Sequence, residues 1–129
     1  MAGDTLPPHI SEEEMAVYKR TALRRLEAER RRRDARRVRG WELAREAAAL
    51  LKRDYGAARV VAFGSLLDPE RFTEQSDVDV AAWGLTSANW LKAMGAVQDL
   101  SREIEINLVD VGACSPALLA AIERDGVEL

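Results

Sequence analysis

The sequence predicts a small α/β domain. Three observations lead there: a β-branched run at Arg59-Val60-Val61-Ala62-Phe63, a second run at Val78-Asp79-Val80-Ala81-Ala82-Trp83, and helical three- and four-residue spacing of apolar side chains on either side of them. The expected order is helix, strand, strand, helix, strand, helix. With 129 residues, 47% of them hydrophobic, the chain can bury one sizeable core and has no room for a second domain. The expected divisions are a flexible start over residues 1–10, a basic helical arm over 11–40 and a functional domain over 41–129.

Ser11 followed by Glu14 forms a capping-box pattern, and few helix breakers intervene before Gly40. Between Lys19 and Arg39 stand eleven basic and three acidic residues, a local +8, so with −3 overall the remainder carries −11. Arg30 to Arg33 is unbroken. Three readings stay open for this helix: a solvated helix laced with Glu/Arg pairs or a frayed arm, a surface for an acidic partner or a second copy of the chain, and a nucleic-acid arm. Clustered arginines suit phosphates, but aromatic interleaving is absent and the whole chain is acidic.

Val38, Trp41, Ala44, Ala48, Leu51 and Tyr55 recur at helical steps and predict a helix packed on a core, closed by Gly56, with Trp41 a core residue. The two strands follow. Thr86-Ser87 caps a helix from Ala88 to about Asp99, Ile104 to Val111 forms a third strand, and Ser115-Pro116 opens a last helix ending at Gly126. Cys114, the single cysteine, reads as a small buried hydrophobe, and His9 beside Pro7-Pro8 as no ligand.

The chemistry concentrates between the first two strands. Gly64 ends the first strand where a missing side chain lets backbone approach a ligand, and Ser65 can offer its N–H and hydroxyl to phosphate. Eleven residues separate Ser65 from Asp77 in Ser76-Asp77-Val78-Asp79. Side chains two apart on a strand share a face, so Asp77 and Asp79 converge. Two adjacent carboxylates repel unless a divalent cation sits between them, and oxygen ligands suit Mg²⁺, which completes its shell with waters and substrate phosphates. The turn and the pair together indicate nucleotide chemistry.

With these residues the chain resembles the minimal nucleotidyltransferases, small relatives of the DNA polymerase β-like superfamily marked by a Gly-Ser turn followed by Asp-x-Asp. The likeness runs from about Arg39 to Leu129 and includes Ile106-Asn107-Leu108-Val109-Asp110-Val111. It implies a mixed sheet with three acidic positions clustered at one edge of a cleft, and makes 41–129 a nucleotidyltransferase domain. Its implied chemistry is Mg²⁺-dependent adenylyl transfer from ATP, with Asp77 and Asp79 on the metal and Gly64 and Ser65 on the outer phosphates. Small members are often antitoxins beside a HEPN-type toxin, so the implied acceptor is a tyrosine hydroxyl of such a partner, silenced by adenylylation.

Two departures stand out. The spacer is one residue longer than the commonest ten, and the third catalytic carboxylate of the family is matched by Asn107, a neutral amide that is no anionic ligand or proton acceptor. Glu105 shares the face of Asn107 about 6–7 Å along the strand and is a candidate substitute, whereas Asp110 faces the other way. If nothing substitutes, the chain is a nucleotide-binding antitoxin or scaffold acting by contact, and the basic helix offers a further alternative, a nucleic-acid-binding regulator. No apolar stretch approaches the ~20 residues of a membrane span and no secretory apolar core is evident, so the cytoplasm is expected.

Overall fold

A computed structural model describes residues 10–129. The flexible start expected over residues 1–10, with His9, lies outside the described residues except for Ile10. Residues up to Arg32 and residues Arg33–Leu129 form two compact units.

One helix, α1 (Glu12–Tyr55), enters both. Its capping box is formed: the Glu14 amide donates to Ser11 Oγ at 3.0 Å, and that hydroxyl donates to Glu14 Oε1 at 3.1 Å. Glu12, Glu13 and Glu14 in the first turn and Lys52 and Arg53 in the last complement the helix dipole. The helix runs unbroken through Gly40 and ends before Gly56, whose φ of +73° a glycine adopts without strain.

In the second unit, β1 (Arg59–Phe63) pairs antiparallel with β2 (Val78–Trp83), and β2 pairs parallel with β3 (Ile106–Asp110). A two-residue strand β4 (Val127–Glu128) pairs antiparallel with β1, giving a mixed sheet ordered β3-β2-β1-β4. The expected mixed α/β architecture with a long N-terminal helix is therefore present. β4 has no signal in the sequence because two exposed residues carry no periodicity; backbone pairing makes it, extended by the Leu129 amide on the Val60 carbonyl at 3.0 Å.

The two faces of the sheet bury different clusters. Val60, Ala62, Val80, Ala82, Ile106 and Leu108 face the main core, where Leu43, Ala44, Ala47 and Leu51 of α1 pack together with Ala93 and Val97 of α2 (Trp90–Gln98). On the opposite face Val61 and Ala81 meet Ile122 of α3 (Pro116–Asp125), flanked by Phe63, Trp83, Val109 and Leu118. Ser115 caps α3, its Oγ accepting from the Leu118 amide at 3.1 Å, and Pro116 occupies the first turn.

Three expectations shift. The buried stripe of α1 is Gly40, Leu43, Ala44, Ala47, Ala48 and Leu51; Val38 is 61% exposed, because a residue two before Gly40 lies about 200° round the helix. The second helix begins at Trp90 instead of Ala88. Thr86 and Asn89 occupy that lead-in with reciprocal bonds, the Thr86 amide on Asn89 Oδ1 at 3.0 Å and the Asn89 amide on Thr86 Oγ1 at 3.3 Å. The third strand is shorter than Ile104–Val111, since Ser101 Oγ accepts from the Glu103 and Ile104 amides in a turn.

Candidate nucleotide site

The site is built where the sheet face under α3 runs out beyond its apolar cluster. Phe63, Asp79 and Asn107 stand side by side across β1, β2 and β3, Phe63 level with Asp79 and Asp79 level with Asn107. Asp77 lies two residues before Asp79 on the same face, just ahead of β2. The structure thus brings Asp77, Asp79 and Asn107 together: Asn107 Nδ2 donates to Asp79 Oδ1 at 3.1 Å and approaches Asp77 Oδ2 at 3.5 Å.

Gly64 joins them from the other side. It begins a 3-10 turn, Gly64–Leu67, with φ +79°, and a Cβ at that position would lie 2.6 Å from Asp79 Oδ2. Only a residue without a side chain lets the turn sit against that carboxylate at such a φ. Ser65 follows in the same turn, half-buried, its carbonyl accepting from the Asp68 amide at 3.1 Å.

Asp79 is the electrostatically loaded member. Burial pushes its carboxyl above the ordinary range, the hydrogen bond from Asn107 pulls it down, and the charge of Asp77 pushes it up again. The amide of Asn107 thus relieves part of the repulsion. Among the described residues no group of three or more His, Cys, Asp or Glu gathers, so the protein offers this pocket two carboxylates and an amide. Glu105 is exposed, with its carbonyl on the Val78 amide at 2.9 Å, and Asp110 turns from the site, its Oδ1 accepting from the Gly112 amide at 3.0 Å.

Arg36, Arg37 and Gly40, all within the stretch expected to be a basic arm, shape this site. Arg36 donates to the Ser76 carbonyl at 2.9 Å and the Glu103 carbonyl at 3.1 Å, and Arg37 Nε donates to the Leu66 carbonyl at 2.8 Å. The helix therefore grips the backbone beside both halves of the motif. One turn on, Gly40 makes the close approach possible: a Cβ there would meet Leu66 Cδ1 at 2.9 Å and Val78 Cγ2 at 3.3 Å. The loop between is tied internally, with the Thr73 amide on Ser76 Oγ at 2.8 Å. A usable signal existed, since Arg36, Arg37 and Gly40 extend the three- and four-residue spacing of Leu43, Ala44 and Ala47, but charge hid it.

No protein-family model matches the sequence, and no curated protein matches it. Solved structures do match its architecture. The toxin-antitoxin MntA-HpeT in a tyrosine-to-alanine mutant aligns with a TM-score of 0.53 at 20% identity, over 66% of this chain and 69% of that one. A MntA-HpeT mutant with two aspartates, two positions apart, changed to glutamate gives 0.52 at 17% identity, over 66% and 70%. A toxin-antitoxin crystallised with AMP-PNP gives 0.51 at 19%, over 64% and 69%. The fold is theirs. At this level of identity the likeness is one of architecture, and the chemistry has to be argued from the residues.

Proposed function

We propose that the chain is a minimal nucleotidyltransferase of the antitoxin type, transferring an adenylyl group from ATP to a hydroxyl, with a tyrosine of a HEPN-type toxin as acceptor. The observation that carries this is the contact of Gly64 with Asp79, which fuses the phosphate-binding turn to the carboxylate pair at one point. The shared fold with toxin-antitoxin structures, one holding AMP-PNP, supports it.

Mg²⁺ fits the donor set: Asp77 and Asp79 present part-buried oxygens, and a cation supported by two protein carboxylates fills its shell with water and triphosphate oxygens. When bound, it neutralises phosphate charge and activates the attacking hydroxyl. The chain's own residues do the rest. Asp77 and Asp79 would hold that cation, and the Ser65 amide and hydroxyl, unshielded by any side chain on Gly64, would cradle the outer phosphates. The acceptor hydroxyl oxygen then bonds to the α-phosphorus as the bond to pyrophosphate breaks, and the hydroxyl proton passes to water or to the departing pyrophosphate. Asn107 orients Asp79 and Asp77 through its amide protons but takes no proton from the acceptor.

That last property favours a second reading, a nucleotide-binding antitoxin that works by contact with little turnover. Calorimetry with ATP tests the shared part: affinity should require Mg²⁺, and Asp77→Ala with Asp79→Ala should abolish the magnesium-dependent component while circular dichroism stays native. Unchanged affinity in that double variant would remove the site from both readings. Transfer of label from α-labelled ATP to a candidate toxin then separates enzyme from binder.

A further inference from the structure

A cavity of about 580 Å³ opens at the far end of β3 from the carboxylate pair. Asn107 is the second residue of that strand and Asp110 the last, about 10 Å further along it. Trp90 and Leu91 from the first turn of α2 line the cavity together with Val109, Ala113 and Cys114, so its walls are mainly apolar. Leu91 is 71% exposed there. Ser87 and Asp110 supply the polar groups, and a mainly apolar hollow of this volume with a few polar groups is the usual build of a small-molecule site.

Asp110 sets the charge of the occupant. Its side chain is half-buried, Oδ1 accepts from the Gly112 amide at 3.0 Å, and no described cationic side chain pairs with it. An anion would be repelled, and a neutral apolar guest would strip water from the carboxylate without compensation. We infer that the cavity binds a small organic ammonium ion, with its charge on Asp110 and its apolar or aromatic body against Trp90, Leu91 and Val109. An ammonium needs a single carboxylate oxygen, which suits a group already engaged in a turn, whereas a guanidinium binds best to both oxygens at once. The Trp90 ring offers its face to the cation or to a ring of the guest. A triphosphate is excluded by the same charge, so the inference stands or falls separately from the proposed activity.

Cys114, the single cysteine of the chain, lines the cavity and reports its occupancy. Alkylation of the full chain by iodoacetamide is timed with three probes that share an indole body: tryptamine, an ammonium; tryptophol, a neutral alcohol; and indole-3-acetate, an anion. NMR shifts of the Trp90 and Cys114 amides give each affinity independently. Tryptamine should bind about tenfold more tightly than tryptophol, the worth of one charge-assisted hydrogen bond, and indole-3-acetate should not bind. Asp110→Asn keeps an oxygen for the Gly112 amide and should bring tryptamine to the level of tryptophol. Magnesium with ATP should not displace tryptamine. Equal binding of tryptophol and tryptamine, a difference that survives in Asp110→Asn, displacement by ATP, or no binding of any probe overturns the inference. So does tighter binding of N-acetyl-lysine amide, which would assign the cavity to a side chain of another protein.

Discussion

Asn107 donates its amide to Asp79 across the parallel β2–β3 pair at 3.1 Å, the two residues being direct partners in register. A carboxylate at the Asn107 position would stand where that donor stands. It would face both aspartates, Asp77 Oδ2 being 3.5 Å from the same nitrogen. Asparagine therefore suits the apoprotein, in which it satisfies two acceptors, and leaves the proposed reaction short of one anionic group.

Replacing Asn107 with aspartate should raise adenylyl transfer at least tenfold towards a competent acceptor, since a missing anionic ligand is worth roughly 10²–10³ in rate. ATP affinity should change little. Glu105→Gln, altering an exposed side chain, should leave transfer unchanged. Turnover measured with labelled ATP checks both, and loss of transfer in Glu105→Gln would assign the third role to Glu105.

Asp79 also makes stability depend on pH. Burial first, and the charge of Asp77 after the opposing bond from Asn107, raise its proton affinity in the folded chain above that of the unfolded chain. A raised carboxyl pKa means that the folded state holds its proton longer. The associated stability is complete below the unfolded value and is lost as the pH rises through the folded value. At neutral pH the metal-free protein therefore carries the full penalty of the buried charge. Asp79→Asn should raise the melting temperature at pH 7, with the advantage fading as the pH falls through the carboxylate range, and added Mg²⁺ should stabilise the wild type but not the variant.

Gly64→Ala should destabilise the fold by about 1–3 kcal/mol, the range for a non-glycine residue held at unfavourable φ, and should abolish magnesium-dependent ATP binding by displacing Asp79. Thermal melts with calorimetry read the two effects together.

Two glycines in helices should behave in opposite ways. Gly95→Ala in α2, where a Cβ meets nothing within 4 Å, should stabilise by about 0.5–1 kcal/mol. Gly40→Leu improves helix propensity by a similar amount but drives atoms into Leu66 and Val78, and overpacking of this kind costs about 1–3 kcal/mol, so the net effect should be loss. Denaturant unfolding of both variants decides.

Arg36→Ala should free the part-buried Ser76 carbonyl and the exposed Glu103 carbonyl and cost about 0.5–1.5 kcal/mol, the net worth of a typical hydrogen bond, since water can reach the exposed acceptor. Hydrogen exchange should quicken in the loop between β1 and β2 more than in α2, and Arg36→Lys should recover only part of the protection because an ammonium lacks the forked geometry.

The strands that bear the chemistry, Arg59–Phe63 and Val78–Trp83, have the bounds expected from their residues alone. The capped start of α1 and the Ser115-Pro116 start of α3 also stand as expected. Strand period, turn residues and caps are local, written within a few neighbouring residues, and so were legible. The convergence of Asp77 and Asp79 is of the same kind. The rest depends on residues far apart in the chain. The pairing of β3 alongside β2 puts Asn107 against Asp79, and the approach of α1 turns Arg36, Arg37 and Gly40 from parts of a basic run into the wall behind the site. A guanidinium that reaches a carbonyl forty residues away reads, in the sequence, like one in solvent, because composition records the charge and not its partner.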